Sequence, residues 1–266
     1  MKIKKFSEFI EEGFMTRSLN RDKSKNTRLE NKPSDKKELR SIIEKRLEEN
    51  PNSNLNDIDV SGVTDMSDLF NGLKARKIDI SKWDVSNVES MSGMFKGCAL
   101  LDCDISDWDV SNVEDMNGMF ISCGKFNGDL SKWKTSSLTT TFAMFNDCRS
   151  FNSNINGWDM SKVTQMSHMF NGCISFNQDL NDWNVSNVKY MSYSFFGCED
   201  FNGNISDWDV SNVERFIGTF ANCKNFNQDL SNWNPSKITN QKHADTIFDG
   251  CDSLEITPEW YKKLMD

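Results

Sequence analysis

Long hydrophobic runs are missing from this sequence, and so are most of the residues that usually carry chemistry. No stretch approaches the roughly 20 consecutive apolar residues that a membrane-spanning helix needs, so no membrane span is expected. Only two histidines and three tyrosines are present. His168 and His243 lie in different parts of the chain, and neither has an obvious nucleophile partner other than residue types that recur at fixed spacing along the chain. The sequence therefore predicts a protein that is not an enzyme and that uses no cofactor.

A basic excess is also missing beyond the amino-terminal region. Residues 1–50 contain 14 Lys and Arg against 10 Asp and Glu, whereas residues 51–266 contain 17 against 30. An acidic domain repels phosphate groups, so nucleic acid is not an expected partner. Acidic mimicry of nucleic acid, which would attract basic proteins, is kept as a weaker alternative.

What the sequence does contain is a repeat of 25 residues. Phe, Cys and Ser recur at this spacing, and we call the residues at one position of successive repeats a column. The clearest column contains the tryptophans Trp83, Trp108, Trp133, Trp158, Trp183, Trp208 and Trp233. Fixed periods of this length are typical of stacked repeat proteins. We therefore expect a solenoid of about eight repeats over residues 51–256.

The apolar spacing inside each repeat predicts a short helix followed by a strand. Val88, Met91, Met94, Phe95 and Cys98 fall on one helical face. A serine precedes each such run and is the expected helix N-cap. This N-cap column contains Ser86, Ser111, Ser136, Ser161, Ser186 and Ser211. The expected fold class is α/β, a curved leucine-rich-repeat-like solenoid of strand–turn–helix repeats with an asparagine ladder and helical caps.

The two ends of the repeat region read as caps. Residues 34–50 form an amphipathic capping helix, with Asp35 as its expected N-cap. Residues 257–266 form a second, shorter cap that carries Trp260. Terminal repeats need such caps because one of their faces has no neighbour.

The repeat beginning W-D-V-S-N-V-E at Trp83 and Trp108 resembles the BspA-like leucine-rich-repeat family over about residues 55–255. That family is found among bacterial surface proteins and lipoproteins. The resemblance implies a repeat protein that binds other proteins or surfaces without catalysis, and it transfers no active-site residue.

The amino terminus differs from a secretory signal, because residues 1–12 contain acidic residues and no apolar core. The stretch is similar to the capsid-targeting peptides of tailed-phage internal proteins. That resemblance implies cleavage between Glu12 and Gly13. A plain amphipathic helix carrying Ile3, Phe6, Phe9 and Ile10 is the alternative, and residues 13–33 read as a flexible linker in either case.

The eight cysteines lack the pairing that zinc sites need, and we expect the recurring ones to be buried free thiols. Such thiols suit a reducing compartment. Cys103 lies outside the recurring column and is expected to be exposed. A separate Asp column, beginning at Asp79 and Asp104, is expected to hold turns through backbone N–H groups rather than to bind calcium.

Function in a repeat protein is expected where exposed positions depart from the repeat. Larger residues interrupt columns of small or polar residues between about 140 and 220, namely Phe142, His168, Tyr190, Tyr193, Phe196 and Ile217. Clustered exposed aromatics are typical of protein-binding surfaces, although the same residues could fill gaps between repeats.

These patterns lead to the hypothesis of a monomeric, non-enzymatic scaffold for a protein partner. One setting is a phage internal or accessory protein in the cytoplasm or virion interior that acts on a host target. The alternative is an adhesin at a cell or virion surface.

Overall fold

The structure, a computed structural model, describes residues 31–266. Its helical elements are α1 (Lys36–Glu49), a 3-10 turn (Gln241–His243) and α2 (Glu259–Met265). Within the described chain, the repeats between α1 and the 3-10 turn contain turns and isolated bridges but no regular helix or strand. The predicted α/β solenoid of strand–turn–helix repeats is therefore wrong. Residues 1–12, the Glu12–Gly13 junction and most of the 13–33 segment lie outside the described residues.

Each repeat is instead a succession of tight turns that is hydrogen-bonded to the next repeat. In the repeat that begins at Trp83, the N–H groups of Met94, Lys96 and Cys98 each donate to the carbonyl three residues earlier. Alternate N–H groups leave the repeat. Gly93 N–H donates to Asn117 O at 2.8 Å, in the following repeat. Inter-repeat bonds thus take the place of the i→i−4 bonds that a helix would make.

The backbone dihedrals show why a helix cannot form here. Gly93 has a φ of 63° and Gly97 a φ of 77°, whereas a helix needs about −63°. Both residues occupy the third position of a four-residue turn, where a left-handed φ is required in type II turns. The first left-handed column contains Asp68, Gly93, Gly118, Ala143, His168, Tyr193, Gly218 and Thr246. The second contains Gly72, Gly97, Ser122, Asp147, Gly172, Gly197, Asn222 and Gly250.

The expected helix N-caps are consequently not caps, because no helix follows them. This correction applies to the whole predicted N-cap column, namely Ser86, Ser111, Ser136, Ser161, Ser186 and Ser211. Ser86 donates both its N–H and its hydroxyl to Asp84 Oδ1, at 3.1 and 2.6 Å. In this repeat the motif is thus a turn closed by the Asp side chain two residues earlier, and Asn184 takes the same place before Ser186. The predicted curvature presupposed a row of packed helices, and the repeats of the described chain contain none.

Repeats join along a column of parallel bridges with one residue from each repeat. The column contains Asp65, Ser90, Asp115, Thr140, Gln165, Tyr190 and Arg215. On another side of each repeat, the predicted asparagine ladder is confirmed. Asn127 Oδ1 accepts the N–H of Asn152 at 2.8 Å, and Asn152 Oδ1 accepts that of Asn177 at 2.9 Å.

Stacked aromatic columns fill the interior. Trp83 and Trp108 are parallel with ring centroids 6.4 Å apart, and Phe120 and Phe145 stack at 5.4 Å. Each buried indole N–H also has a partner, as when Trp158 donates to Leu130 O at 3.1 Å. The buried indoles therefore satisfy their N–H groups while the rings stack from repeat to repeat.

The thiols form a buried column of their own. Cys148 Sγ donates to Phe120 O at 2.9 Å, and Cys173 Sγ donates to Phe145 O at the same distance. Cys103 is buried as well, with 8% of its surface exposed. Its predicted exposure is wrong because the side chain packs in the apolar core, where a thiol behaves as a small hydrophobic group.

The two helices cover the ends of the stack. Asp35 accepts the N–H of Glu38 at the start of α1, and Leu39 and Ile43 are fully buried. Arg40 donates to three carbonyls of the first repeat, those of Asp68, Leu69 and Asn71. At the other end, Trp260 of α2 donates to Leu230 O at 3.0 Å and so continues the indole pattern. Neither helix, nor any other in the described residues, has the length and apolar character needed to cross a bilayer.

Candidate functional site

Four of the predicted site residues lie side by side along successive repeats. The rings of Phe142 and His168 meet edge to face at 5.6 Å, and His168 stacks on Tyr193 at 5.0 Å. Phe196 meets Tyr193 edge to face at 5.9 Å. We call these four residues the aromatic strip.

The strip lies on the surface rather than in the core. Phe142 keeps 42% of its surface exposed, and the other three residues are half-buried. Phe142 is thereby one of the few large hydrophobic side chains in the described chain that remain exposed. The strip combines a solvent-facing apolar surface with rings that hold one another in place.

The backbone dictates where Tyr193 and His168 point. Both have left-handed φ angles, 59° and 60°, in a column where glycine is the commonest residue. A Cβ on Gly218, in the following repeat, would lie 2.7 Å from Tyr193 Cε1. The absent side chain of Gly218 therefore provides the space in which the Tyr193 ring lies.

Neutral polar groups surround much of the strip. Asn171 Nδ2 lies 3.1 Å from His168 Nδ1, and Asn117 Oδ1 accepts both the Thr140 hydroxyl and the Phe142 N–H. Burial lowers the pKa of His168 below its ordinary value. Near neutral pH the imidazole is therefore uncharged, and the four side chains of the strip carry no charge.

The other two predicted residues are less closely connected with the strip. Tyr190 lies in the bridge column between Gln165 and Arg215, and within the described chain its ring makes no aromatic contact. Ile217 accepts the N–H of Tyr193 through its carbonyl at 2.8 Å and is half-buried. Gly218 was not among the predicted site residues, because its role depends on a left-handed φ and a neighbouring ring.

The carboxylate column has the structural role that was predicted for it. Ser81 donates its N–H and its hydroxyl to Asp79 Oδ1, at 3.2 and 2.8 Å. Ser106 does the same to Asp104. These bonds lower the pKa of each carboxyl. Turn closure by the carboxylates is thus confirmed.

The thiols are not poised for reaction. Burial raises the pKa of Cys98 and of Cys251 to about 12. A thiol with such a pKa stays protonated at neutral pH, and the thiolate is the reactive form. The column therefore acts as a set of small apolar side chains and weak hydrogen-bond donors.

Two open clefts lie away from the strip. One, of about 580 Å³, is lined by Glu44, Leu47 and Glu48 of α1 together with Leu73. The other, of about 520 Å³, is polar and is lined by residues that include Asn87, Glu89, Asn112 and Glu114. Neither cleft includes a residue of the strip.

Comparison with known proteins assigns the repeats to one family. No curated protein matches the chain. A family model described as "Mycoplasma protein of unknown function, DUF285" matches residues 37–158 and again residues 142–260. The BspA-like resemblance and the phage-type targeting peptide are not confirmed by this match and stay predictions. Because the two matches together cover most of the sequence, the chain belongs to the DUF285 family.

Proposed function

We propose that this protein is a non-enzymatic binding protein that holds a protein partner on the aromatic strip. The observation that carries the proposal is the continuous row of Phe142, His168, Tyr193 and Phe196 at the surface of a largely polar chain. Aromatic side chains that are ordered before binding lose little conformational entropy on contact and are common at binding hot spots.

The exposure of Phe142 supports binding rather than gap filling. Gap-filling residues would be buried between repeats, as Met144 and Met169 are, whereas Phe142 is exposed. His168 and Tyr193 adopt left-handed dihedrals that cost a side chain about 1–2 kcal/mol relative to glycine. Backbone strain of this kind is often retained at functional sites.

We also propose a setting inside a cell or virion, where the protein acts on a host target as a phage accessory protein would. Seven thiols that donate hydrogen bonds to backbone carbonyls support a reducing compartment. Display as a surface adhesin is the alternative, and an acidic nucleic-acid mimic is the weaker one.

The test replaces strip residues by those that neighbouring repeats carry in the same columns. The triple variant Phe142→Ser, His168→Gly and Tyr193→Gly removes three of the four rings. It also relieves the backbone strain at the two positions with left-handed φ angles. Affinity capture followed by mass spectrometry should then lose the partners that the unaltered protein recovers, while the melting temperature stays within a few degrees.

Leu100→Ser is the matched control, because it also replaces an exposed apolar residue by the serine of a corresponding position, but outside the strip. It should retain the partners. Equal recovery by the triple variant and by Leu100→Ser would exclude the strip as the binding surface. Loss of partners only at raised salt would instead favour acidic mimicry.

A further inference from the structure

We propose that two copies of this chain meet on the aromatic strip, packed face to face with their repeats in opposite order. The inference rests on the proposed function, because it takes the strip as the binding surface, and it identifies the protein partner as a second copy. It replaces the monomer that the sequence led us to expect with a weak, symmetric dimer.

The strip belongs to a face of four columns that contact one another. The first is the bridge column, and the others are the columns that contain Phe142, His168 and Asn171. The Thr140 hydroxyl of the bridge column donates to Asn117 Oδ1 in the Phe142 column at 2.7 Å. The Phe142 ring meets the His168 ring, and Asn171 Nδ2 lies 3.1 Å from His168 Nδ1. We call these four columns, over residues 115–221, the dimer face.

Large and small residues occupy mirrored places along the dimer face. Over five successive repeats the three columns beside the bridge column contain Asn117, Phe142, Ser167, Ser192 and Ile217; Gly118, Ala143, His168, Tyr193 and Gly218; and Ile121, Asn146, Asn171, Phe196 and Ala221. Each large apolar or aromatic residue on one side of the central repeat, which contains His168, has a small or polar residue equally far away on the other side. In the bridge column, Tyr190 and Thr140 follow the same rule.

Opposite order of the repeats turns this pattern into packing. A two-fold axis that crosses the stack at the repeat of His168 makes each column face itself in reverse. The exposed ring of Phe142 then lies against Ser192 of the second copy, which is half-buried, and Tyr193 lies against Ala143, which is buried. Projecting side chains therefore enter recesses on the other copy, and close packing of this kind is typical of the cores of specific interfaces.

Charge selects the same arrangement. Asp115 lies two bridge steps before Gln165, and Arg215 lies two steps after it. Neither Asp115 nor Arg215 forms an ion pair with another described residue. Opposite order places each Asp115 against Arg215 of the second copy, so that an ion pair closes each end of the contact. The same order of repeats in both copies would leave these four charges without partners.

The centre of the dimer face brings no charges together. Gln165 and His168 lie at the axis, and each faces its counterpart. The His168 imidazole is uncharged near neutral pH, because burial lowers its pKa. Gln165 Oε1 accepts the Ser167 N–H at 2.8 Å, and a primary amide can still donate to an identical amide and accept from it.

The size of the face predicts a weak dimer. Four bridge steps separate Asp115 from Arg215, or about 19 Å at roughly 4.8 Å a step. A face of this length is small beside stable interfaces, which bury about 800 Å² per partner. The net charge of −9 on each copy also opposes association, although physiological salt screens charges beyond about 8 Å. We therefore expect a dissociation constant in the micromolar range.

Sedimentation velocity of the full chain tests for the dimer. At chain concentrations from about 1 to about 200 µM, the average mass should rise from that of a 30.6 kDa monomer towards twice that value. The triple variant Phe142→Ser, His168→Gly and Tyr193→Gly should stay a monomer over the same range. A single monomeric species in the unaltered protein, or a dimer that persists in the triple variant, would overturn the proposal.

An exchange of charges tests the order of the repeats. Asp115→Arg and Arg215→Asp should each weaken the dimer about tenfold or more, because each places like charges at both ends of the contact. Mixing the two variants should restore the dimer, since their ends are again complementary. An unchanged dimer in either variant alone, or no recovery in the mixture, would reject the opposite order.

Glu114→Arg is the matched control, because it makes the same change of charge one residue away. Glu114 lines the polar cleft with Asn87 and Glu89, outside the dimer face. The dissociation constant should therefore stay unchanged. A loss as large as that of Asp115→Arg would show that net charge, and not the ion pairs, governs association.

The inference and the proposed function fail separately. Asp115→Arg keeps the aromatic strip intact while it weakens the dimer, so partner capture by this variant does not depend on a second copy. A chain that stays monomeric and still captures other proteins through its strip would overturn this inference and leave the proposed function standing.

Discussion

At Gly97 the backbone alone decides which residue is tolerated. Its φ is 77°, and a Cβ added there would meet no atom within 4 Å. Any cost of a larger residue is therefore conformational and not steric. Ser122, Asp147 and Asn222 occupy the same column with left-handed angles, so the fold accepts side chains there at an energetic cost.

Gly97→Ala is expected to lower the free energy of unfolding by about 1–2 kcal/mol, because alanine disfavours the left-handed region. Gly157→Ala is the matched control: its Cβ also meets open space, but its φ is not left-handed. That change should be neutral or stabilise by about 0.4–1 kcal/mol through the unfolded state. Urea unfolding of both variants measures the difference, and equal effects would contradict the turn geometry.

His168 gives the strip a dependence on pH whose sign follows from its burial. The folded protein lowers the pKa of His168 below the ordinary value of 6.5, so at mildly acidic pH the unfolded chain binds more protons. The residue therefore costs no stability above about pH 6.5, and stability is lost as the pH falls below that value.

The melting temperature of the unaltered protein should thus fall more between pH 7.5 and pH 5.5 than that of His168→Asn. Asparagine keeps a polar side chain that tolerates the left-handed φ of 60° and does not titrate. Thermal melts at the two pH values make the comparison. Parallel losses in both proteins would show that His168 stays accessible to protons in the folded state.

At the scale of the element, sequence predicted the repeat but not its backbone. The period, the stacked columns, the asparagine ladder and the helix at 36–49 follow from residue identity alone. The helix within each repeat was wrong because apolar residues three and four apart also suit successive turns that face one interior. The recurrence of glycine at Gly93 and Gly97 was the signal against a helix, since one of the two lies inside the proposed helix.

The sequence identified the members of the aromatic strip but not their arrangement, for a related reason. Departures from the repeat identified Phe142, His168, Tyr193 and Phe196, and the structure brings them together. Their mutual ring contacts depend on the direction in which left-handed residues point their side chains. That direction cannot be inferred from residue identity at one position of the repeat. Tyr190 was also predicted from its column, but it lies in the bridge column, and its ring contacts no other aromatic ring of the described chain.

The burial of the cysteines predicts which thiol reacts first, and this distinguishes Cys251 from Cys103. Cys251 is the only half-buried cysteine in the described chain, and Cys103 is buried with the rest. A thiol reagent added to the native protein should therefore react first with Cys251. Cys251→Ser should abolish the fast phase and Cys103→Ser should retain it. The reverse result would restore the exposure of Cys103 that the sequence suggested.

At the scale of the whole molecule, the aspartates that close the turns make the stability of the fold depend on pH in the acid range. Hydrogen bonds from serine lower the pKa of carboxyls distributed along the stack, namely Asp59, Asp79, Asp104, Asp109, Asp129, Asp159, Asp209 and Asp229. The pKa of Asp59 falls to about 2, through the hydrogen bond from Lys32 and then those from Ser61. Because neighbouring repeats support one another, protonation in many repeats should act cooperatively.

The sign follows from the direction of these pKa shifts. Carboxyls whose folded pKa lies below the unfolded value of 3.8 stabilise the protein fully above about pH 4 and lose that contribution as the pH falls towards 2. Asparagine already occurs naturally at two positions of this column and shows which substitution keeps the turn bond. Asn154 and Asn204 stand in the column of Asp79 and accept the same turn N–H, from Asn156 and Ser206, at 3.0 Å without titrating.

The triple variant Asp79→Asn, Asp104→Asn and Asp129→Asn should therefore unfold at a lower pH than the unaltered protein, with a less steep acid transition. At pH 7 its melting temperature should change little, because the amide oxygen still accepts the turn N–H. Circular dichroism during acid titration measures the midpoint and the slope. An unchanged acid midpoint would show that the turn carboxylates are not the groups through which acid unfolds the stack. A large loss of stability at pH 7 would show instead that the turns require charge as well as an acceptor.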